Sequence, residues 1–365
     1  MTLADKIHVT ASKDYDVIIG AGILPETGKI VREILPQAGK VLIVSDTNVA
    51  PLYMKTVKDS LASSGFEAFE YVFEAGERSK NIDSIAGMWD LMAKEGFTRA
   101  DAVAALGGGV AGDMGGFAAA TFLRGISVIQ IPTSLLAMVD SSIGGKTGID
   151  LPVAKNQVGA FHQPSVVIED TDCLKTLSPD LFTEGMGEVI KYAFIMDLPL
   201  YDLLRKTADE GKAAELASDT DMLTSVIKSC VADKAYVIAN DEFDTGLRQI
   251  LNFGHTVGHV IESRSDFSLP HGVCVAKGMG IVTDAAVKAG TCDPQEAAKM
   301  KDLIEAFGLP SSDGITAQDA VDGAMNDKKK RGDTLSLVVV NKIGKAEIVK
   351  VTSGEYLEFL EKGLN

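Results

Sequence analysis

Through the first half of the chain, short apolar runs bounded by turn residues alternate with longer segments of helical period. KVLIVSDTNV holds a buried-strand run from 40 to 45 that ends at Asp46, and FEAFEYVFEAG alternates with the two-residue period of a strand. NIDSIAGMWDLMAKEG carries apolar residues at helical spacing. ADAVAALGGG reads as a strand running into glycine, ISVIQIPTS as a strand ending in Pro132, Thr133 and Ser134, and PSVVIED as one more. This alternation predicts a mostly parallel, Rossmann-like sheet covered by helices, with ligands at the carboxyl ends of its strands.

Near residue 178 the pattern changes. LSPDLFTEGMGEVIKYAFI offers Ser178 as an N-cap and Pro179 at the first helical position. Helical patterns follow in LYDLLRKTADEGKAAELAS, DMLTSVIKSCVADKAYVIAN, RQILNFGHTVGHVIES, GVCVAKGMGIVTDAAVKAG and QEAAKMKDLIEAFG, and only TLSLVVVNKIGKAEIV reads as extended, a small hairpin. The expected architecture is an α/β N-terminal domain over residues 1–177 and a mainly α-helical C-terminal domain over 178–365.

Composition narrows the function classes. A chain of 365 residues, 46% hydrophobic, buries a sizeable core. Lys and Arg number 35 against 51 Asp and Glu, and the net charge of -16 argues against a general nucleic-acid or anionic-membrane partner, so any cluster of cations is local and specific. Cys173, Cys230, Cys274 and Cys292 form no CxxC pair, which suggests neither a disulfide framework nor a cysteine zinc site. No apolar run has signal-peptide or membrane-spanning character, and a cytoplasmic protein is expected.

Three segments carry candidate chemistry. DSSIGGKTG, 140–148, ends like a P-loop, but Asp140 stands where the loop requires glycine, and the preceding SLLAMV reads as helix rather than strand. GGGVAGD, 107–113, fits G-x-G-x-x-G between a strand and a helix, the context that seats a pyrophosphate on a helix N-terminus. The usual acidic residue some 20 positions later is missing. Asp46, at an upstream strand end, is placed to bind a ribose instead. In NFGHTVGHVIE, His255 and His259 stand four apart on one predicted helix face, and Thr256 excludes the zincin protease motif. One of them is expected to bind metal while the other handles protons or an anion. His271 lies at a predicted helix start close by. Glu188 lies on a helix carrying Gly185 and Gly187, a pattern that suggests close backbone approach, and two imidazoles with one carboxylate suit a catalytic zinc.

These segments, with QIPTSLLAMVDSSIGGKTGID, KNQVGAFHQP, GEVIKYAFI, DEFDTGLRQILNFGHTVGHVIE and LPHGVCVAKGM, resemble the 3-dehydroquinate synthase family of sugar phosphate cyclases in order and spacing, from about Lys40 to the NDKKKRGD stretch. The resemblance implies zinc or cobalt held by Glu188, His255 and His271, with His259 facing substrate. It implies NAD contacts at Asp46, Asn48, Glu77, Lys80, Gly109, Val110, Ala111, Gly112, Asp113, Thr133, Ser134, Lys146, Lys155 and Thr176. It places substrate residues at Arg124, Asp140, Lys146, Asn156, Lys191, Lys234, Arg248, Asn252, His259 and Lys328. Ser134, Met138 and Ala154 depart from the residues usual in the family, and none of the three removes a charge or a ligand.

The implied enzyme is a phosphate-eliminating carbon–oxygen lyase of aromatic amino acid biosynthesis, acting as a homodimer. It turns 3-deoxy-D-arabino-heptulosonate 7-phosphate, a phosphorylated keto acid, into 3-dehydroquinate by transient oxidation with NAD, elimination, re-reduction and intramolecular aldol closure. The nearest competing readings are a metal-dependent polyol or glycerol-phosphate dehydrogenase and a sibling cyclase whose substrate lacks a carboxylate. Charge counting separates the siblings. Lys146, Asn156, Asn252 and Lys328, with Arg124, suffice for a phosphate, which leaves Arg248 and Lys191 or Lys234 for a second anion.

Overall fold

The computed structural model describes residues 4–152, 154–265, 268–328 and 334–364. It divides into two compact units, Met1–Leu177 with Leu223–Phe243, and Ser178–Met222 with Asp244–Asn365. The single cut after residue 177 is therefore corrected: the segment 223–243 belongs with the α/β unit. Polar contacts explain why. Along the helix Thr220–Asn240 and just beyond it, Lys228 pairs with Asp5 at 2.9 Å, Lys234 Nζ donates to the Asp140 carbonyl at 2.5 Å, and Glu242 accepts the Ser12 N–H at 2.7 Å. A helical period says that a face will be buried without saying which neighbour will bury it.

The first unit is built on a seven-stranded sheet. Its strands are β1 (Asp5–Val9), β2 (Tyr15–Gly20), β3 (Lys40–Asp46), β4 (Glu67–Phe73), β5 (Ala102–Gly107) and β6 (Ser127–Pro132); a ribbon of β7 (Lys146–Leu151) and β8 (Ala154–Phe161) precedes β9 (Val166–Asp170). The spatial order is β1-β2-β9-β6-β5-β3-β4, parallel throughout except for the β1–β2 hairpin. The strands expected from Lys40 onward all form. Leu42, Val44, Val103 and Val128 of the central strands pack with Ile85, Met88 and Met92 of the helix Ile82–Lys94 and with Met114, Phe117 and Ala118 of the helix Gly109–Thr121. Burying each of the larger side chains stabilises the unit by about 1.5–3 kcal/mol relative to exposure.

The strand order reverses between β3 and β5. From β3 the chain runs outward to the edge strand β4, then returns to lay β5 on the other side of β3. Such a switch opens a crevice at the carboxyl ends of the two strands. Asp46 closes β3 there and Gly107 closes β5.

The second unit is helical, with Pro179–Ile195, Leu198–Asp209, His255–Arg264, His271–Lys288, Pro294–Ala306, Ala317–Lys328 and Ser353–Leu364, and an antiparallel hairpin of β10 (Thr334–Lys342) and β11 (Lys345–Thr352). Ser178 caps the first of these helices, its hydroxyl accepting the Leu181 N–H, and Pro179 is the first helical residue. Two expected helices are corrected. LYDLLRKTADEGKAAELAS ends its helix at Asp209 and resumes as a 3-10 turn, Ala213–Ser218, with Gly211 at φ 70° between them. RQILNFGHTVGHVIES splits into a 3-10 turn, Leu247–Asn252, and a helix that begins only at His255, because Gly254 takes φ 78°, a left-handed conformation that ends one element and starts the next.

Candidate functional site

In the first unit, DSSIGGKTG is not a phosphate loop. Residues 137–141 form a π-helical turn, Gly144 and Gly145 turn the chain at φ 91° and 68°, and Lys146 opens a strand with its side chain exposed. Helix, turn and strand is the reverse of the order that cradles phosphate on a helix N-terminus.

GGGVAGD does have the expected context. The helix Gly109–Thr121 follows β5 after Gly108, and its first intrahelical bond runs from the Gly112 N–H to the Gly108 carbonyl, so the N–H groups of Gly109, Val110 and Ala111 precede the ladder. Beside this turn, Asp46 accepts the N–H groups of Asn48 and Val49 at 2.8 and 3.0 Å, and the Thr133 N–H donates to the Gly107 carbonyl at 3.0 Å. Ser134 accepts the Ala137 N–H at 3.3 Å, while Thr176 shares a 2.6 Å hydrogen bond with Tyr53.

The first turns of this helix also meet a charged cluster. Lys80, almost wholly buried, lies 2.7 Å from Asp113 and 3.7 Å from Glu77, and donates to the Asn156 side-chain oxygen at 2.5 Å. Lys155 lies 3.4 Å from Glu77. Burial pushes the Asp113 carboxyl above its usual range against the pull of Lys80; burial works to lower Lys80, and the carboxylates of Asp113 and Glu77 raise it overall. Asp150 was not singled out from the sequence, yet it accepts the Asn156 N–H at 2.7 Å and so fixes a residue held at φ 53°. Asp140 is ion-paired with the buried Lys234. Arg124 is exposed, next to Leu123, both with positive φ.

In the second unit, three helices converge because glycine lets them. Gly187 on Pro179–Ile195 faces the backbone of Gly272 on His271–Lys288, and a Cβ at Gly272 would run into the Glu184 carbonyl. A Cβ at Gly258 would stand 2.9 Å from the Cys274 carbonyl, which brings His255–Arg264 equally close. The close approach suggested by Gly187 is thus the crossing of two helices.

That crossing gathers Glu188, His255 and His271. Glu188 is fully buried; one carboxylate oxygen, Oε2, pairs with buried Lys191, and the other, Oε1, stands 3.4 Å from Nε2 of both His255 and His271. Oε1 nevertheless has no hydrogen-bond partner. Three ligand-type atoms that converge without bonding one another are arranged as around a cation, and two imidazoles with a carboxylate form a donor set suited to zinc or cobalt. The nitrogens of His255, His259 and His271 also lie within 4.8 Å of one another, so geometry alone leaves His259 within reach of the same ion.

The electrostatics follow from this crowding. Burial would raise Glu188, but Lys191 and then His255 and His271 hold it well below the usual carboxylate range. Burial works against the charge on His271, yet Glu188 and Glu262 together push the ring up to about 10. His259 is the exposed member of the three; crowding by protein atoms and the two neighbouring rings hold it below the ordinary histidine range. Arg248, buried, and Asn252 share the 3-10 turn Leu247–Asn252. Lys328 ends the helix Ala317–Lys328, and its side chain lies outside the described residues. Glu262 and Glu184, both in contact with His271, were missed from the sequence because nothing in their spacing sets them apart from solvent-facing helix glutamates.

A family model described as 3-dehydroquinate synthase N-terminal matches residues 70–184, and one described as 3-dehydroquinate synthase C-terminal matches 185–330. The 3-dehydroquinate synthase of Streptococcus suis (strain 05ZYH33) is 43% identical over 350 residues, 95% of this chain and 97% of that protein. Among solved structures, ValA, a 2-epi-5-epi-valiolone synthase from Streptomyces hygroscopicus subsp. jinggangensis 5008 with NAD+ and Zn2+ bound, is 26% identical with a TM-score of 0.86 over 97% of each chain. A 2-deoxy-scyllo-inosose synthase complexed with carbaglucose-6-phosphate, NAD+ and Co2+ shares the fold, with 22% identity and a TM-score of 0.86 over 99% of this chain and 100% of that one.

Proposed function

The chain belongs to the 3-dehydroquinate synthase family, and on that premise we propose that it converts 3-deoxy-D-arabino-heptulosonate 7-phosphate to 3-dehydroquinate and phosphate in the shikimate pathway, as a phosphate-eliminating lyase that uses NAD and a divalent metal. The observation that carries this reading is the buried, unbonded Glu188 oxygen facing two imidazoles at 3.4 Å. NAD would supply reversible hydride acceptance, and zinc or cobalt would supply polarisation of neighbouring hydroxyls.

The chain's own residues bind and orient. Asp46 and Asn48 at the end of β3 would hold the ribose of the dinucleotide. The turn Gly109–Asp113 would take its pyrophosphate, with Glu77, Lys80, Thr133, Ser134, Lys146, Lys155 and Thr176 fixing the rest. Glu188, His255 and His271 would hold the metal. The substrate phosphate would meet Lys146, Asn156, Asn252, Lys328 and Arg124. Arg248, whose planar guanidinium matches a carboxylate with two parallel hydrogen bonds, would take the acid, and Lys191 is the second cation we assign to it. Asp140, ion-paired with Lys234, would accept a hydrogen bond from a substrate hydroxyl. His259, held below the ordinary histidine range, would take and return a proton on the substrate. Holding one flexible substrate in a reactive conformation is where much of the barrier lowering lies.

We also assign a homodimer, supported by the exposed apolar pair Phe161 and Phe243, whose rings meet edge to face at 5.3 Å and offer a surface for a second copy to cover. The assigned compartment is the cytoplasm, in keeping with four buried free cysteines. Among the described residues, no helix is long and apolar enough to cross a membrane.

The deciding assay follows released phosphate and dehydroquinate from the heptulosonate phosphate with NAD far below substrate. Many turnovers per NAD, without net NADH, are expected. Steady NADH formation matching substrate loss would favour a dehydrogenase, and equal turnover of a carboxylate-free sugar phosphate would favour a sibling cyclase.

A further inference from the structure

Resting on the metal reading above, we infer that Glu262 is a positioning residue that locks the ring of His271 so that its Nε2 is the atom presented beside Glu188. The two histidines of the cluster are anchored differently. His255 Nδ1 is 3.1 Å from the Phe253 carbonyl, a neutral backbone acceptor two residues away. His271 Nδ1 is 3.3 Å from Oε2 of Glu262, a carboxylate on the neighbouring helix His255–Arg264, and Glu262 is itself buried. Both rings thereby direct Nδ1 away from the cluster and leave Nε2 at 3.4 Å from Glu188 Oε1.

The extra anchor answers a local need. Both histidines open their helices, but His255 follows closely on the 3-10 turn Leu247–Asn252, whereas His271 is preceded by Pro270 in an extended conformation. Its backbone N–H is tied to Glu184 Oε1 at 3.1 Å, which fixes the main chain but not the ring. A carboxylate on Nδ1–H selects the Nε2-ligating tautomer, sets the ring's rotation and makes Nε2 more electron-rich. His255, inside a packed 3-10 turn and helix junction, receives the same service from a carbonyl. Glu262 therefore ties the metal affinity of one helix to the placement of the next.

The test uses the full-length protein without NAD or substrate. Zinc affinity is measured by competition with a chromogenic chelator, and the cobalt form by its visible absorption bands, for wild type, Glu262→Gln and Glu262→Leu. Both variants are expected to lose about 10- to 100-fold in zinc affinity and to shift the cobalt bands, with Glu262→Gln, nearly isosteric, keeping the wild-type circular dichroism. Histidine nitrogen resonances of the zinc-bound wild type supply a readout that needs no variant: His271 should show a metal-bound Nε2 and a protonated Nδ1. Wild-type affinity and bands in both variants, or Nδ1 coordination of His271, would overturn the inference alone. A wild type that binds neither zinc nor cobalt would overturn it together with the metal reading. Affinity lost in a protein that fails to cyclise the heptulosonate phosphate would leave it standing while the proposed reaction fell.

Discussion

The ammonium of Lys80 lies 2.7 Å from the Asp113 carboxylate, so a residue before the helix Ile82–Lys94 grips the second turn of the helix that follows the glycine turn. Lys80→Met removes the nearest counter-charge of Asp113 and leaves it buried with only the weaker pull of Lys234. The expected loss of stability is about 1–3 kcal/mol, less than for a fully buried pair because Asp113 still reaches solvent. Denaturant unfolding of Lys80→Met, Asp113→Asn and the double variant checks it: the single losses should exceed the double one when summed, and strict additivity would argue against the pairing. NAD titration of Lys80→Met should also show weaker binding.

The three histidines lie close enough for any of them to ligate, and metal analysis separates them. His255→Ala should lose stoichiometric zinc, whereas His259→Ala should retain zinc and lose turnover. Chelation of the wild type should abolish activity, with zinc or cobalt restoring it. If His259→Ala emptied the site and His255→Ala did not, the ligand assignment would be reversed.

Arg248 is buried and is the residue we assign to the substrate carboxylate. Replacing it by lysine keeps the charge and removes the planar fork. Arg248→Lys should weaken transition-state stabilisation by about 2–5 kcal/mol for a buried charge pair, seen as a lower kcat/KM for the heptulosonate phosphate. An unchanged kcat/KM would sink the assignment.

At Gly272 an alanine methyl would press on the Glu184 carbonyl and push apart the helices that carry His271 and Glu188. Overpacking of this kind costs about 1–3 kcal/mol. Gly272→Ala should therefore lower both the urea midpoint and the zinc affinity, whereas Gly290→Ala, at a solvent-exposed turn with positive φ, should lower stability through backbone strain without affecting zinc. Zinc affinity that survives in Gly272→Ala would mean that the crossing does not set the ligand geometry.

Glu169 is buried in β9, which pairs with β2 and β6, and neither of its carboxylate oxygens has a partner. Burial pushes its pKa well above the usual value, so the folded protein holds it neutral. In the unfolded chain it ionises near the ordinary glutamate value of about 4.3. Between that value and the raised folded one, the unfolded state binds fewer protons, so this group's contribution to stability is full at lower pH and declines as pH rises. Glu169→Leu should raise the melting temperature more at about pH 8 than at about pH 5. A gain independent of pH would contradict the assignment of a neutral buried carboxyl.

By itself the chain determined the parallel sheet, the glycine turn at Gly107 to Gly109 and the start of the helix at Pro179, because these depend on local period, capping and turn chemistry, which neighbouring residues carry among themselves. Its motifs also singled out Glu188, His255 and His271, and helical spacing placed His255 and His259 on one helix, where they are found. Tertiary structure decided what spacing could not. The helix holding Lys234 joins the α/β unit through partners as remote as Asp5 and Asp140. Gly254 breaks a pattern that reads as continuous helix, since one left-handed residue leaves the apolar period unchanged. Asp150, Glu169, Glu184 and Glu262 look in sequence like ordinary solvated acids. Their roles arise only when folding removes water from them or places a donor beside them, and both depend on residues far away along the chain.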